Sequence, residues 1–111
     1  MNFNMPRPCG NCPFLKVGAI DLRPGRVEGI ARSLLRDDHA TFQCHKTVHG
    51  PHGGEWDDDG NYQPSGHESA CMGAVAYLWK HGRTSILTRL ALARGAITVA
   101  QIEALQPDVI D

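Results

Sequence analysis

Four cysteines are the residues in this chain whose type and spacing could do chemistry. Cys9 and Cys12 flank two residues in Cys9-Gly10-Asn11-Cys12-Pro13-Phe14, and Cys44 and Cys71 are the only others among 111 residues. Two thiolates at that spacing close a small loop round one cation, with the intervening amides turned inward. Gly10 and Asn11 suit such a turn, because glycine takes positive φ without strain and asparagine tolerates the left-handed region. Pro13 then fixes the chain as it leaves. Together Cys9, Cys12, Cys44 and Cys71 make the complement of a four-sulfur centre: one tetrahedral zinc ion, with a 4Fe-4S cluster as the alternative and metal-free thiols as a third reading. A proline straight after a cysteine pair favours the cluster. The prevalence of zinc in small proteins favours the ion, which is taken as the lead.

The spacing leaves room for rivals. Thirty-one residues separate Cys12 from Cys44 and twenty-six separate Cys44 from Cys71, so two isolated cysteines stand where a zinc ribbon has its second pair. His45 and His49 have the gap of a zinc-finger histidine pair, and a Cys9, Cys12, His45, His49 site would leave Cys44 and Cys71 unexplained. His45 is read instead as an outer-shell donor to a ligand sulfur, and His49 and His52 as polar loop. A redox dithiol at Cys9 and Cys12 lacks the strand before and the helix after that such a motif needs. A Cys44 nucleophile with His45 as its base fails because neighbours on an extended chain point to opposite faces.

The elements that must position these residues are mainly helical. Residues 1–23, with Pro6, Pro8 and Pro13, read as an irregular metal-knuckle loop. Val27, Ile30, Ala31, Leu34 and Leu35 recur at helical steps after Pro24, which fits a first turn, and Asp37-Asp38-His39 ends the pattern. Residues 40–44 read as an extended piece delivering Cys44. Residues 46–68 hold five glycines and two prolines, and read as a long loop with a hairpin around Asp59-Gly60-Asn61. Ser69 is placed to cap a helix that stops at Gly82 and carries Cys71 in its first turn, where exposed amides favour a thiolate. A further helix is predicted from Ser85 to Arg94, with Ile86, Leu87, Leu90 and Ala93 inward. Thr98 and Gln101 have capping-box spacing for a last helix through Leu105. The expectation is one small, metal-organised α domain over residues 1–111 with little β.

Composition sets the remaining bounds. A chain this short buries about two-thirds of its unfolded surface, so a bound metal would add needed stability. No apolar run approaches a membrane span and the N-terminus has no apolar signal core, which predicts a cytoplasmic protein with reduced thiols and no membrane partner. The net charge of −1 gives no overall pull toward nucleic acid. Locally, residues 71–102 contain no acid and carry Lys80, Arg83, Arg89 and Arg94, a candidate contact set for a macromolecule. A protein partner is favoured over nucleic acid, since few aromatic rings accompany the charges.

The three cysteine blocks also carry a resemblance. Cys9-Gly10-Asn11-Cys12-Pro13-Phe14, then Phe42-Gln43-Cys44-His45-Lys46-Thr47, then Cys71-Met72-Gly73-Ala74 resemble in order the pattern of a family of small, uncharacterised phage and prophage proteins. Met72 departs from the usual alanine, and Lys16-Val17-Gly18 is less basic than the usual arginine-lysine pair. The resemblance implies the same four-cysteine site and a phage or prophage origin, and it implies no activity. The function expected is that of a non-enzymatic, metal-stabilised accessory protein acting by macromolecular interaction, with an iron-sulfur redox or sensor protein as the alternative.

Overall fold

One helix is apolar all round and the rest of the chain is arranged to enclose it. The computed structural model describes residues 2–3, 5, 7–49, 51, 53–66 and 68–111, the His45 side chain left aside. In it α1 (Arg26–Arg36), the single turn α2 (His45–Val48), α3 (Met72–Lys80), α4 (Ile86–Ala93) and α5 (Val99–Ala104) precede a 3-10 turn, Gln106–Asp108. Between α2 and α3 lie β1 (Glu55–Trp56) and β2 (Tyr62–Gln63), antiparallel with Trp56 opposite Tyr62. The architecture is mainly α with a two-stranded sheet, as expected.

In α3 every residue from Met72 to Leu78 is buried, as a helix with no polar face requires. It packs on α1, α5 and the 3-10 turn. The amphipathic pattern of α1 supplies Ile30, Ala31 and Leu34 to that core. Among the described residues no helix is long and apolar enough to cross a membrane.

Three local expectations are corrected. Pro24 does not enter the first turn of α1: Gly25, at φ 83°, is the N-cap and the helix starts after it. Ser69 does not cap α3. Its hydroxyl accepts from the Met5 amide at 3.1 Å, and Cys71 itself occupies the N-cap in extended geometry. The face of α4 is also turned: Ser85, Thr88 and Ala91 are buried, while Ile86 and Leu90 are 36% and 53% exposed. Ser85 caps α4 by accepting from the Thr88 amide at 3.1 Å, and its hydroxyl donates to the Thr88 hydroxyl at 2.9 Å. That polar cluster fixes the inward face, where periodicity alone had assigned it to the leucines.

The hairpin and the last helix follow the sequence. Asp57 Oδ1 accepts from the Asp59 and Asn61 amides at 3.0 and 2.8 Å, and Gly60 takes φ 82°. Thr98 and Gln101 form both halves of their capping box.

Candidate metal centre

Three stretches of extended backbone gather the cysteines. Asn2 bridges Ser69, and Gln43 bridges Ala70. The Cys44 amide donates to the Ser69 carbonyl at 2.7 Å and the Cys71 amide to the Phe42 carbonyl at 2.9 Å. This pairing lays Cys44 beside Cys71. The knuckle is brought in by the Cys12 amide, which donates to the Cys9 carbonyl at 3.1 Å, and by Phe14, fully buried against Phe42 and Tyr77 with centroids at 5.8 and 5.3 Å. The chain end locks it: the Ile110 amide donates to the Phe14 carbonyl, and the Lys16 amide to the Asp108 carbonyl.

All four cysteines are buried and none is in a disulfide. Cys12 Sγ and Cys71 Sγ stand 3.4 Å apart. Cys9 is within hydrogen-bonding reach of Cys44, and the charges of Cys9, Cys12, Cys44 and Cys71 act on one another. So the fold brings the predicted ligands into one cluster as two coupled pairs. Among the described residues, no three His, Cys, Asp or Glu side chains already stand at metal-ligand geometry.

The electrostatics of the cluster are uneven. The hydrogen bond from Cys71 is the main influence lowering the pKa of Cys12; burial opposes it, and amides of Phe14 and Gly73 help it. The same bond, with burial and the Cys12 charge, pushes the Cys71 thiol well up. The proton of the pair is therefore held more tightly at Cys71 than at Cys12. Burial also raises Cys9, followed by the field of Cys44, against an opposing amide from Asn11. Backbone amides reach Cys9, Cys12 and Cys71, the last from Ala74. Amide donors at sulfur favour the thiolate that a metal binds.

Some residues of the site were not picked out by ligand spacing. Gly73 is one: a Cβ there would lie 2.5 Å from Cys12 Sγ and 3.6 Å from Cys71 Sγ. Thr47 is another, its hydroxyl donating to the Cys44 carbonyl at 2.8 Å and accepting from the Ser69 amide at 3.0 Å. Lys46 Nζ lies near Gly10, 4.0 Å from where a Cβ would stand. The Cys-His-Lys-Thr and Cys-x-Gly blocks were the available signals. The outer-shell role assigned to His45 concerns a side chain outside the described residues, as does the assignment of His52. His49 lies on the hairpin side, its ring facing Trp56 at 6.5 Å.

The basic contact set is largely engaged within the molecule. Lys80 Nζ donates to the Val109 carbonyl and pairs with Asp111 at 3.3 Å. Arg83 and Arg89 share Asp38, at 3.7 and 2.9 Å. Arg94 has no ion-pair partner among the described residues. Comparisons with models of known protein families, with curated proteins and with solved structures find no match for this chain.

Proposed function

We infer that the chain is a small accessory protein built round one zinc ion held by Cys9, Cys12, Cys44 and Cys71, acting by binding another macromolecule rather than by catalysis. The observation that carries this reading is the 3.4 Å separation of Cys12 and Cys71 sulfurs. Thiolates about 2.3 Å from one tetrahedral ion stand about 3.8 Å from each other. In a cluster each cysteine binds a different iron, so its sulfurs are spread further apart. Cys9 and Cys44, whose charges act on Cys12 and Cys71, would close on the same centre by side-chain movement, since no three ligating side chains stand together among the described residues. The amides already aimed at sulfur would offset part of the negative charge of four thiolates.

A protein partner is favoured by the surface. Three of the four cations between Cys71 and Ile102 are paired internally, whereas α4 leaves Ile86 and Leu90 in solvent beside a helix end bearing Arg94. The phage or prophage resemblance is part of this reading, as is a reducing, cytoplasmic setting that keeps the thiols available.

Elemental analysis of protein purified without oxidation tests it. About one zinc per chain in a colourless sample is expected. Iron with acid-labile sulfide and a brown absorbance would transfer the same cysteines to a 4Fe-4S centre with a redox or sensor role, and neither metal would end both readings.

A further inference from the structure

Away from the cysteine cluster, a cavity of about 550 Å³ opens between α1, the residues before Cys44 and the hairpin. Its size falls within the roughly 300–1,000 Å³ of small-ligand sites. The floor is apolar, with Ile20, Ile30 and Phe42, and the wall is aromatic, with Trp56 and Tyr62.

That wall is held rigidly. Trp56 is 58% exposed, yet its ring packs on Tyr62 with centroids 5.1 Å apart. Tyr62 is fixed in turn, because its hydroxyl accepts from the Gly54 amide at 2.6 Å and donates to Glu68 at 3.2 Å. Glu68, only 1% exposed, also accepts from the Ser65 and Gly66 amides, both at 3.0 Å. On the other side His49 faces the indole, 19° from parallel at 6.5 Å.

Arg26, Thr41 and Gln43 bring polar groups to the cavity beside those of His49, Trp56 and Tyr62. Among the described residues the Arg26 guanidinium has no carboxylate partner, and the Thr41 hydroxyl and Gln43 amide make no hydrogen bond to the protein. A neutral aromatic ligand would leave the exposed Arg26 guanidinium to solvent and gain nothing from it. A simple anion would leave the rings unused. A ring that stacks, an edge that can meet an amide, and a phosphate together match all three features.

We propose that this cavity binds a nucleotide, its base against Trp56, its edge toward Gln43 and its phosphate at Arg26. The same chemistry is offered by a free mononucleotide and by a residue of single-stranded nucleic acid.

Calorimetric titration of the full chain with the four 5′-mononucleotides, their nucleosides and the matching trinucleotides tests the proposal. At least one nucleotide is expected to bind, with its nucleoside tenfold or more weaker. Trp56→Leu and Arg26→Gln should each weaken binding roughly tenfold, the order seen when a stacking ring is removed, with the circular dichroism spectrum unchanged. A trinucleotide bound tenfold more tightly identifies single strand as the source, and equal affinity identifies the free nucleotide. The proposal is overturned if no nucleotide binds at millimolar concentration, if the nucleoside binds as tightly as the nucleotide, or if neither substitution changes affinity.

Discussion

The cysteine cluster and the hairpin both hold irregular backbone in place, and they do it with opposite chemistry. At the cluster, four buried free cysteines lie close enough for their charges to act on one another, which raises the Cys9 and Cys71 thiols. At the hairpin a single buried carboxylate, Glu68, is already satisfied by donors from Tyr62, Ser65 and Gly66. In the proposed reading the first arrangement is completed by a cation, whereas the second is complete without one. An added ion is expected to change stability at the cysteines and not at the hairpin.

The comparison breaks most visibly at Cys71. Cys71→Ser removes one of the four proposed ligands, and structural zinc contributes on the order of 10 kcal/mol in small peptides, as much as a whole domain's stability. The variant is expected to lose its metal and most of its cooperative thermal transition, while His49→Ala keeps both. The opposite pattern would assign the metal to a cysteine and histidine set.

Gly73→Ala sharpens the same contrast without removing a ligand. The new Cβ would meet Cys12 Sγ at 2.5 Å and Phe14 Cβ at 3.2 Å, and overpacking of this kind costs about 1–3 kcal/mol. A lower melting temperature with weaker metal retention in a chelator competition is expected. Gly25→Ala provides a comparison at a glycine with open space around it but positive φ, where metal retention should be unchanged.

How much of this could be read from residue order depends on the kind of interaction. The gathering of the four cysteines, the capping box at Thr98 and Gln101 and the turn at Gly60 were legible because each rests on residues close in sequence or of one reactive type. The inward face of α4 was not, because Ile86 and Leu90 have the right period and the choice was made by Ser85 and Thr88 bonding each other. Nor was the burial of Glu68. A carboxylate in a glycine-rich loop reads as solvated, and only the fold shows the Ser65 and Gly66 amides and the Tyr62 hydroxyl turned toward it. The displacement of Ser69 from its cap has a similar cause: the N-terminal segment pairs with Ser69 and offers its hydroxyl the Met5 amide instead.

At the hairpin, burial pushes the Glu68 carboxyl upward, but amides of Ser65, Glu68 and Gly66 and the Tyr62 hydroxyl outweigh it and leave the pKa depressed. Its stabilising contribution is therefore fully present above the ordinary glutamate value of about 4.3 and is lost as pH falls through the lower folded value. Acid titration followed by Tyr62 and Trp56 ring resonances should show the hairpin loosening in that range. Glu68→Gln should abolish this dependence at neutral-pH metal content equal to that of the parent chain.

The smallest effect is expected on the surface. Arg89→Glu breaks the pair with Asp38, half-exposed on both sides, and such pairs contribute about 0.2–1 kcal/mol. A shift of a few degrees or less in melting temperature is predicted, with the metal retained.

The central claim, one ion held by four sulfurs, is tested most directly by X-ray absorption at the zinc edge of protein purified without oxidation. The account predicts a single shell of four sulfurs at about 2.3 Å. A shell containing nitrogen at about 2.0–2.1 Å, or no zinc edge at all, would contradict it.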